Sequence, residues 1–422
     1  MKDSGIEWIG QIPHDWQISK MKYIGEYING YAFKPSQWGT EGKQIIRIQD
    51  LTQTSDQPNY YDGELDTKYL VKTGDLLISW AATLDAFVWK KDEAWLNQHI
   101  FKAIPKESAV CKPYFYWLIK EAMLNMNNGN KHGIMMQHVT YDVFDNFAIP
   151  LPDLCGQEKI AKFLEEKCAE IDTLIAAKER TNTLLKERRQ SIIYEAVTKG
   201  VNPKAPMKDS GIEWIGQIPE NWDVLRLRFL GTFQNGISKG GEFFGSGYPF
   251  VSYGDVYKNE VLPITPSGLV EATEFERELY SVEKGDVFFT RTSETKEEIG
   301  IVAVCKETIP DATFAGFLIR MRPTSDVVTT DFLRYYFSCG LQRVYFSKEL
   351  TLVTRASLGQ DLLKNMVVTI PSTEEQQEIV KYLDEQTQAI DAIIACNDAS
   401  IQKLKEYRQS IIYEAVTGKI EV

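Results

Sequence analysis

The sequence is poor in the residues that build metal sites and disulfide frameworks, and it lacks long apolar runs. Its 422 residues include four histidines and six cysteines, and no two cysteines are closer together than 13 positions. No Cys-x-x-Cys pair occurs and histidines are few, so we expect neither a structural zinc site nor a disulfide framework. No apolar run approaches the roughly 18 residues of a membrane span, and the opening Met1–Ser4 lacks the apolar core of a secretory signal. These absences predict a soluble, cytoplasmic protein without a membrane partner.

Acidic residues outnumber basic ones, 59 to 47, and catalytic motifs are scarce. The net charge of −12 argues against unspecific coating of nucleic acid. No phosphate-binding loop ending in Gly-Lys-Ser or Gly-Lys-Thr is present. Residues 243–247 match the FxGxG pattern of methyl-donor sites, but the Asn/Asp-Pro-Pro-aromatic motif of amino-methyltransferases is missing, so we expect a loop there. Asp286 with Glu294 and Lys296 is spaced too closely for a nuclease site, and Arg291–Glu298 reads as a charged hairpin tip. We predict no catalytic residues, no cofactor and no enzymatic activity.

What the sequence does contain is a duplication. The thirteen letters MKDSGIEWIGQIP occupy residues 1–13 and again 207–219, at an offset of 206, and Trp16 and Trp222 follow them. The ten letters RQSIIYEAVT occupy residues 189–198 and 408–417, at an offset of 219. Two matches of this length cannot arise by chance, so the chain is a tandem, pseudo-two-fold repeat. Its ends are shared and its middles differ.

The second match of each copy ends a long predicted helix. The first helix runs from about Gln157 to Lys199, and the second from a Ser372–Glu375 capping box to Thr417. Apolar residues recur at the 3-4 spacing of a coiled coil, with polar breaks at Lys178, Asn182 and Asn397. We predict that the helices pack against each other; the alternative is that each packs only on its own globular half. The predicted seam comprises Leu164, Ile171, Ile175, Leu185, Ile192, Leu383, Ile390, Ile394, Leu404 and Ile411.

The middles mix strand signals with turns, which predicts an α+β class with two globular heads that share a fold. The turns Lys72–Asp75 and Glu283–Asp286 read as equivalent, and strands are predicted at 44–48, 75–80, 87–89, 249–253, 286–290 and 299–305. We divide the chain into the first repeat copy (1–19), head 1 (20–152), the first long helix (153–200), a linker with the second repeat copy (201–224), head 2 (225–371) and the second long helix (372–422).

These motifs resemble the specificity subunit of type I restriction-modification systems over essentially the whole chain. The resemblance rests on the SGIEWIGQIP openings at 4–13 and 210–219, the Pro152–Glu158 and Pro371–Glu378 helix starts, which pair Gln157 with Gln377, and the RQSIIYEAVT helix ends. It implies two target recognition domains, each reading one half of a bipartite double-stranded DNA target, and an antiparallel coiled coil that sets the gap. It also implies two modification subunits that methylate adenine with S-adenosylmethionine. Restriction subunits that use ATP and Mg²⁺ would join them.

Candidate DNA contacts lie in polar, turn-rich segments of the heads, where loops carry function. In head 1 they are Lys34, Arg47, Thr83, Lys131, His132 and Gln137, and in head 2 they are Lys239, Tyr253, Arg291, Ser293, Lys296 and Arg355. For His132 a solvated turn is as good an interpretation. The repeated Trp8 and Trp214 are predicted to pack in the core rather than to dock a partner. A second function class stays open, namely a coiled-coil scaffold whose two heads bind proteins.

Overall fold

A computed structural model describes residues 1–55, 57–129, 140–293, 299–349 and 356–422, which form two compact units. Unit 1 comprises Met1–Lys178 together with Ala399–Val422, and unit 2 is the continuous segment Glu179–Asp398. The boundary between the units therefore falls inside both long helices. The described helices include none that is long and apolar enough to cross a membrane.

Unit 1 begins with a short hairpin and continues into head 1. Its strands are β1 (Lys2–Asp3), β2 (Gln11–Ile12), β3 (Gln17–Lys20), β4 (Gly25–Asn29), β5 (Lys43–Ile46), β6 (Asn59–Tyr61), β7 (Leu70–Val71), β8 (Leu76–Ser79), β9 (Asp85–Val88), β10 (Ala94–Leu96), β11 (Ile100–Pro105) and β12 (Ala148–Leu151). Its helices are α1 (Met21–Ile24), α2 (Ile48–Thr52), α3 (Lys112–Gly129), α4 (Tyr141–Asn146) and the first part of α5 (Leu154–Lys199).

Unit 2 repeats this order. Its strands are β13 (Met207–Asp209), β14 (Gln217–Pro219), β15 (Asp223–Arg226), β16 (Gly231–Asn235), β17 (Phe244–Val251), β18 (Gly268–Val270), β19 (Val287–Thr290), β20 (Thr292–Ser293), β21 (Val302–Val304), β22 (Thr313–Phe314), β23 (Leu318–Pro323), β24 (Ala356–Ser357) and β25 (Val367–Ile370). Its helices are α6 (Tyr253–Lys258), α7 (Glu274–Leu279), α8 (Thr330–Ser338), α9 (Leu341–Glu349), α10 (Gln360–Asn365) and most of α11 (Thr373–Val416). The end of α5, from Glu179, also belongs to unit 2, and the end of α11, from Ala399, belongs to unit 1.

The main sheets of the two heads have the same strand order, while the second sheet has four strands in head 1 and three in head 2. Head 1 has an antiparallel sheet in the order β4-β11-β8-β9, and head 2 has β16-β23-β19-β21 in the same arrangement. Beside it, β5 runs parallel to β10 in head 1, as β17 runs parallel to β22 in head 2. The pair β3–β12 closes head 1, and β15–β25 closes head 2. The predicted α+β class with two similar heads is confirmed.

The two turns predicted as equivalent have one geometry. The Lys72 amide donates to Asp75 Oδ2, and the Glu283 amide donates to Asp286 Oδ2, both at 2.8 Å. The residues directly before the two aspartates, Gly74 and Gly285, have φ values of 89° and 98°. Glycine adopts this left-handed conformation without steric cost. The turns thus keep their form while the strands around them change sequence.

Two predicted strands end earlier than expected. β5 stops at Ile46 and β17 at Val251, so the predictions of strand to Ile48 and Tyr253 were wrong. The reason is an N-terminal cap: the Arg47 amide donates to Asp50 Oδ2 and the Ser252 amide to Asp255 Oδ2, each at 2.8 Å. At both places an aspartate three residues later in the chain accepts the capping bond, and a helix begins there instead of further strand.

The first turn of each long helix contains a buried glutamine that bonds to the preceding chain. Gln157 Nε2 donates to the Ala109 and Pro152 carbonyls, each at 3.0 Å. Gln376 makes the same bonds to Val327 and Pro371, at 2.8 and 3.0 Å. The structural equivalent of Gln157 is therefore Gln376, so its predicted pairing with Gln377 was wrong by one residue. These bonds tie each helix start to its own head.

The long helices also contact each other inside each unit. In unit 2, Arg189 Nε lies 3.2 Å from Asp391 Oδ1, and Asn182 Nδ2 donates to Asp398 Oδ1 at 2.8 Å. A step of seven residues forward on α5 is thus seven residues back on α11, which makes the segments antiparallel. In unit 1, the corresponding Arg408 Nε lies 2.8 Å from Asp172 Oδ1. The arginine that opens each RQSIIYEAVT copy therefore bonds the opposite helix.

The ten seam residues lie in two apolar clusters that combine helix and head. Leu164, Ile171, Ile175, Leu404 and Ile411 belong to the core of unit 1. Leu185, Ile192, Leu383, Ile390 and Ile394 belong to the core of unit 2. Each helix segment thus packs both on a head and on the other helix. The prediction that the helices pack against each other is confirmed, and the alternative, packing on a globular half alone, is wrong.

The repeated tryptophans pack within their own units. The Trp8 ring stacks on Phe147 at 5.4 Å and its Nε1 donates to the Ala148 carbonyl at 3.1 Å. The Trp214 ring lies 5.4 Å from Tyr345. Both therefore hold a repeat copy against a head, although the aromatic partners come from different elements.

Candidate nucleic-acid interface

In head 1, three loops are joined by backbone hydrogen bonds at one edge of the β4-β11-β8-β9 sheet. The Tyr31 amide donates to the Leu96 carbonyl at 2.9 Å, and the Gln98 amide returns a bond to Tyr31 at 2.9 Å. The Trp80 amide donates to the His99 carbonyl at 3.2 Å. We call the segments 30–38, 80–84 and 97–99 loop edge 1.

Head 2 has the same edge. The Ile237 amide donates to Phe314 and the Gly316 amide donates to Ile237, both at 2.8 Å. The Arg291 amide donates to the Phe317 carbonyl at 2.9 Å, as Trp80 does to His99. We call the segments 236–244, 291–293 and 315–317 loop edge 2. The bonding pattern is common to both edges, whereas the side chains they present differ.

One glycine in each head permits this close approach. A Cβ on Gly30 would lie 1.9 Å from the Asn97 carbonyl oxygen, and one on Gly236 would lie 2.1 Å from that of Phe314. Real Cβ atoms do not come this close to an oxygen. The first loop can therefore reach the turn before β11 or β23 only with glycine at this place.

We expect Gly236→Ala to destabilise head 2 by about 1–3 kcal/mol, the usual cost of forcing atoms into a packed site. It should also speed hydrogen exchange at the Ile237 and Gly316 amides, which close loop edge 2. Gly241→Ala is the matched control, because no atom of a neighbouring residue lies within 4 Å of a Cβ placed there. Equal exchange rates in both variants would show that Gly236 does not hold the edge together.

Three candidate contacts of head 1 lie on or beside loop edge 1. Lys34 is exposed and precedes a single helical turn, Pro35–Gln37. Thr83 is exposed in the loop after β8. Arg47 follows β5, and its guanidinium lies 5.9 Å from the Trp38 ring while Nη2 donates to the Gln57 carbonyl at 2.8 Å. The structure brings these residues to one side of the head.

Four candidates of head 2 lie on or beside loop edge 2. Arg291 directly follows β19, and Ser293 ends the short strand β20. Tyr253 begins α6, with its ring stacked on Tyr257 at 5.9 Å. Lys239 lies in the first loop, but its ammonium is 2.7 Å from Glu276 Oε2. That bond holds the pKa of Glu276 below its usual value. Lys239 thus serves the loop's own structure.

The other candidates lie outside the described residues. They are Lys131, His132, Gln137, Lys296 and Arg355. Among the residues that the structure does describe, no three His, Cys, Asp or Glu side chains lie close enough together to hold a metal ion. Residues 243–247, which match the methyl-donor pattern, lie at the start of the exposed strand β17, where Gly245 and Gly247 have φ near 100° and interrupt the ladder with β18.

The edges also present aromatic residues that sequence reasoning missed. Trp38 is 43% exposed, and Phe244, at the same offset of 206 as the repeated opening, is 39% exposed. Phe317 is 64% exposed, and His99 takes its place in head 1. Extending the offset of 206 beyond Trp222 would have paired Trp38 with Phe244. The other pair depends on strand register and gave no signal in the sequence.

Known proteins match this chain along its whole length. The family model described as the type I restriction modification DNA specificity domain matches residues 13–183 and 219–405. The chain is 24% identical to the type I restriction enzyme EcoBI specificity subunit of Escherichia coli, over 99% of this chain and 89% of the relative. It is also 24% identical to the MjaVIII specificity subunit of Methanocaldococcus jannaschii, over 98% and 94%.

Solved structures share the fold. A chain from a study of complex assembly and conformational transition in a type I restriction-modification system superposes with a TM-score of 0.73 at 18% identity, covering 97% of this chain and all of that one. The HsdS subunit from Thermoanaerobacter tengcongensis gives a TM-score of 0.50 at 18% identity, covering 97% and 98%. The family description names DNA specificity and so favours DNA reading over a protein-binding scaffold. Since the family model matches both repeats, each with its head and loop edge, the chain belongs to the family of DNA specificity subunits of type I restriction-modification systems.

Proposed function

We propose that the two heads read the two halves of a bipartite DNA target, head 1 through loop edge 1 and head 2 through loop edge 2. The observation that carries this proposal is the combination of a common frame with different side chains. Trp80 and Arg291 occupy equivalent positions in the two heads. Each directly follows the strand residue that pairs with the first residue of β11 in head 1 or of β23 in head 2. His99 and Phe317 occupy a second pair of equivalent positions. Different chemistry on one scaffold suits two readers of different sequences.

We further propose partners for this chain, and the parts that are equivalent in both copies support two of them. Two modification subunits would bind the repeated frame, one for each copy, and would supply S-adenosylmethionine chemistry to adenine. Restriction subunits would bring ATP and Mg²⁺. The chain itself would be non-catalytic and would work in the cytoplasm, where it would neither methylate nor cut DNA alone. The long helices would set the gap between the half-sites. Identical contacts such as Arg189–Asp391 and Arg408–Asp172 support a common role for the two copies.

Arg291→Ala tests the assignment of head 2. An arginine that reads a guanine edge discriminates by about 1–3 kcal/mol, so the variant should relax one position of one half-site by roughly 5- to 150-fold. The complex with modification subunits would be assayed by mapping methylated sites across a genome and by binding to single-substitution duplexes. Lys34→Ala is the contrast: loss of a phosphate contact should weaken all duplexes alike and lower the salt slope by about one unit.

The assignment of head 2 fails if Arg291→Ala and Arg355→Ala both leave binding and the methylated motif unchanged. The wider proposal fails if the wild-type complex shows no preference among duplex sequences. A complex that prefers a single continuous motif would contradict the two-head scheme in particular.

A further inference from the structure

Phe317 is a large apolar side chain exposed at the centre of loop edge 2. It is 64% exposed, although Ala315, two residues before it, and Leu318, directly after it, are 6% and 0% exposed. An exposed ring between buried neighbours contributes little to the core. The protein therefore gains no packing from the largest part of this side chain.

Backbone hydrogen bonds fix the turn that carries this ring. The Gly316 amide donates to Ile237 at 2.8 Å, the Leu318 amide donates to Ala315 at 2.9 Å, and the Phe317 carbonyl accepts from Arg291 at 2.9 Å. A Cβ on Gly316 would lie 2.3 Å from Ser238 Oγ. These bonds fix the backbone of the turn, so no ordering of the loop is needed before the side chain can be used in binding.

The equivalent position of head 1 carries a different group. His99 has a φ of 73°, and its ring packs edge-on against Trp80 with centroids 5.0 Å apart. If this position met a protein partner that binds both copies, the two heads would need the same chemistry there, as they have in the two interhelical Arg–Asp pairs. An imidazole in one head and a phenyl ring in the other suit two different DNA sequences.

We infer that the Phe317 ring packs against an exposed base face or wedges into a base step of the half-site read by head 2. This inference rests on the proposed DNA reading by that head. Apolar wedges and base–aromatic stacking are established ways for proteins to hold deformed or unstacked bases. The neighbouring Arg291 would fix the register, and Phe317 would sense the local stacking.

The test compares Phe317→Ala with Phe275→Ala in the complex with modification subunits. Phe275 is the matched control, because it is 69% exposed in the same head but lies on α7, outside loop edge 2. The probe is a duplex carrying the motif mapped for the wild-type complex, with 2-aminopurine placed at each adenine of the half-site in turn. We expect Phe317→Ala to weaken binding about 5- to 150-fold, the loss expected for one base–aromatic stack. It should also abolish a fluorescence change that Phe275→Ala and Phe317→Trp preserve.

The outcomes separate this inference from the proposed function. If Phe317→Ala binds and discriminates like wild type, the inference is wrong while DNA reading stands. If Phe317→Ala loses modification subunits in a pull-down without DNA, the ring serves a protein contact and the inference is again overturned. If wild type shows no sequence preference at all, the proposed function itself has failed.

Discussion

Asp286→Ala is expected to destabilise head 2 by about 3–5 kcal/mol, the usual cost of removing one partner of a buried ion pair. Asp286 has no exposed side-chain surface, and its two oxygens each lie 2.7 Å from the Arg322 guanidinium, at Nε and Nη2. Removing the carboxylate takes away the two oxygens that accept from Nε and Nη2 of a partly buried guanidinium. The loss should therefore exceed that of a surface pair.

Asp75→Ala in head 1 is the matched control. Asp75 caps the equivalent turn with the same 2.8 Å bond, but its side chain is 24% exposed and its ion-pair partner is Lys102, at 2.8 Å. We expect a smaller cost there, about 1–2 kcal/mol, because the Asp75 carboxylate reaches solvent and makes one bond to an ammonium rather than two to a guanidinium. Hydrogen exchange of the β19 and β8 amides in the full chain measures each head separately. Equal losses in the two variants would show that the buried charge pair is not what stabilises head 2.

The features that repeat along the sequence were the ones that could be predicted. The long helices and their seam followed from periodicity and from the duplicated ends, since a stripe at 3-4 spacing has one structural interpretation. The common fold of the heads followed from the two Gly-Asp turns. Local competition caused the errors: Asp50 and Asp255 cap helices where β-rich letters suggested that the strands continue. Two adjacent glutamines, Gln376 and Gln377, left the helix start ambiguous by one residue.

The loop edges could not be predicted, because they depend on contacts between distant segments. Tyr31 meets Leu96 and Gln98 through backbone bonds, and no local pattern indicates those partners. Exposed aromatic residues were missed for a related reason. Phe317 reads as a core residue next to Leu318, and only its place in the turn shows that its ring faces outward.

Lengthening both helices by one heptad is expected to change the spacing of the DNA target. Asn182 is 7% exposed and bonds Asp398 and Asn397 across the helix pair, at 2.8 and 2.9 Å. Buried polar contacts of this kind fix the register of a coiled coil. Seven residues inserted between Thr181 and Asn182, and seven between Asp398 and Ala399, fall on the same side of this contact. A whole heptad keeps the seam in phase and adds about 10 Å, close to three base-pair steps of about 3.4 Å.

The control is a chain with the insertion in α5 alone, which leaves seven residues without a partner helix and should lose helical order on circular dichroism. Binding is the better readout for the double insertion, because three base pairs also rotate one half-site by about 100° relative to the other. The modification subunits must follow that rotation for methyl transfer to proceed. Binding to the duplex can be measured without methyl transfer.

The most direct test of two heads reading DNA at a fixed spacing is therefore selection of bound duplexes. Complexes of wild type and of the doubly lengthened chain with modification subunits would each be presented with a library in which both half-sites and the gap vary. The prediction is one bipartite motif for wild type, and for the lengthened chain the same two half-sites with a gap about three base pairs longer. An unchanged gap, or a changed base within either half-site, would contradict the account.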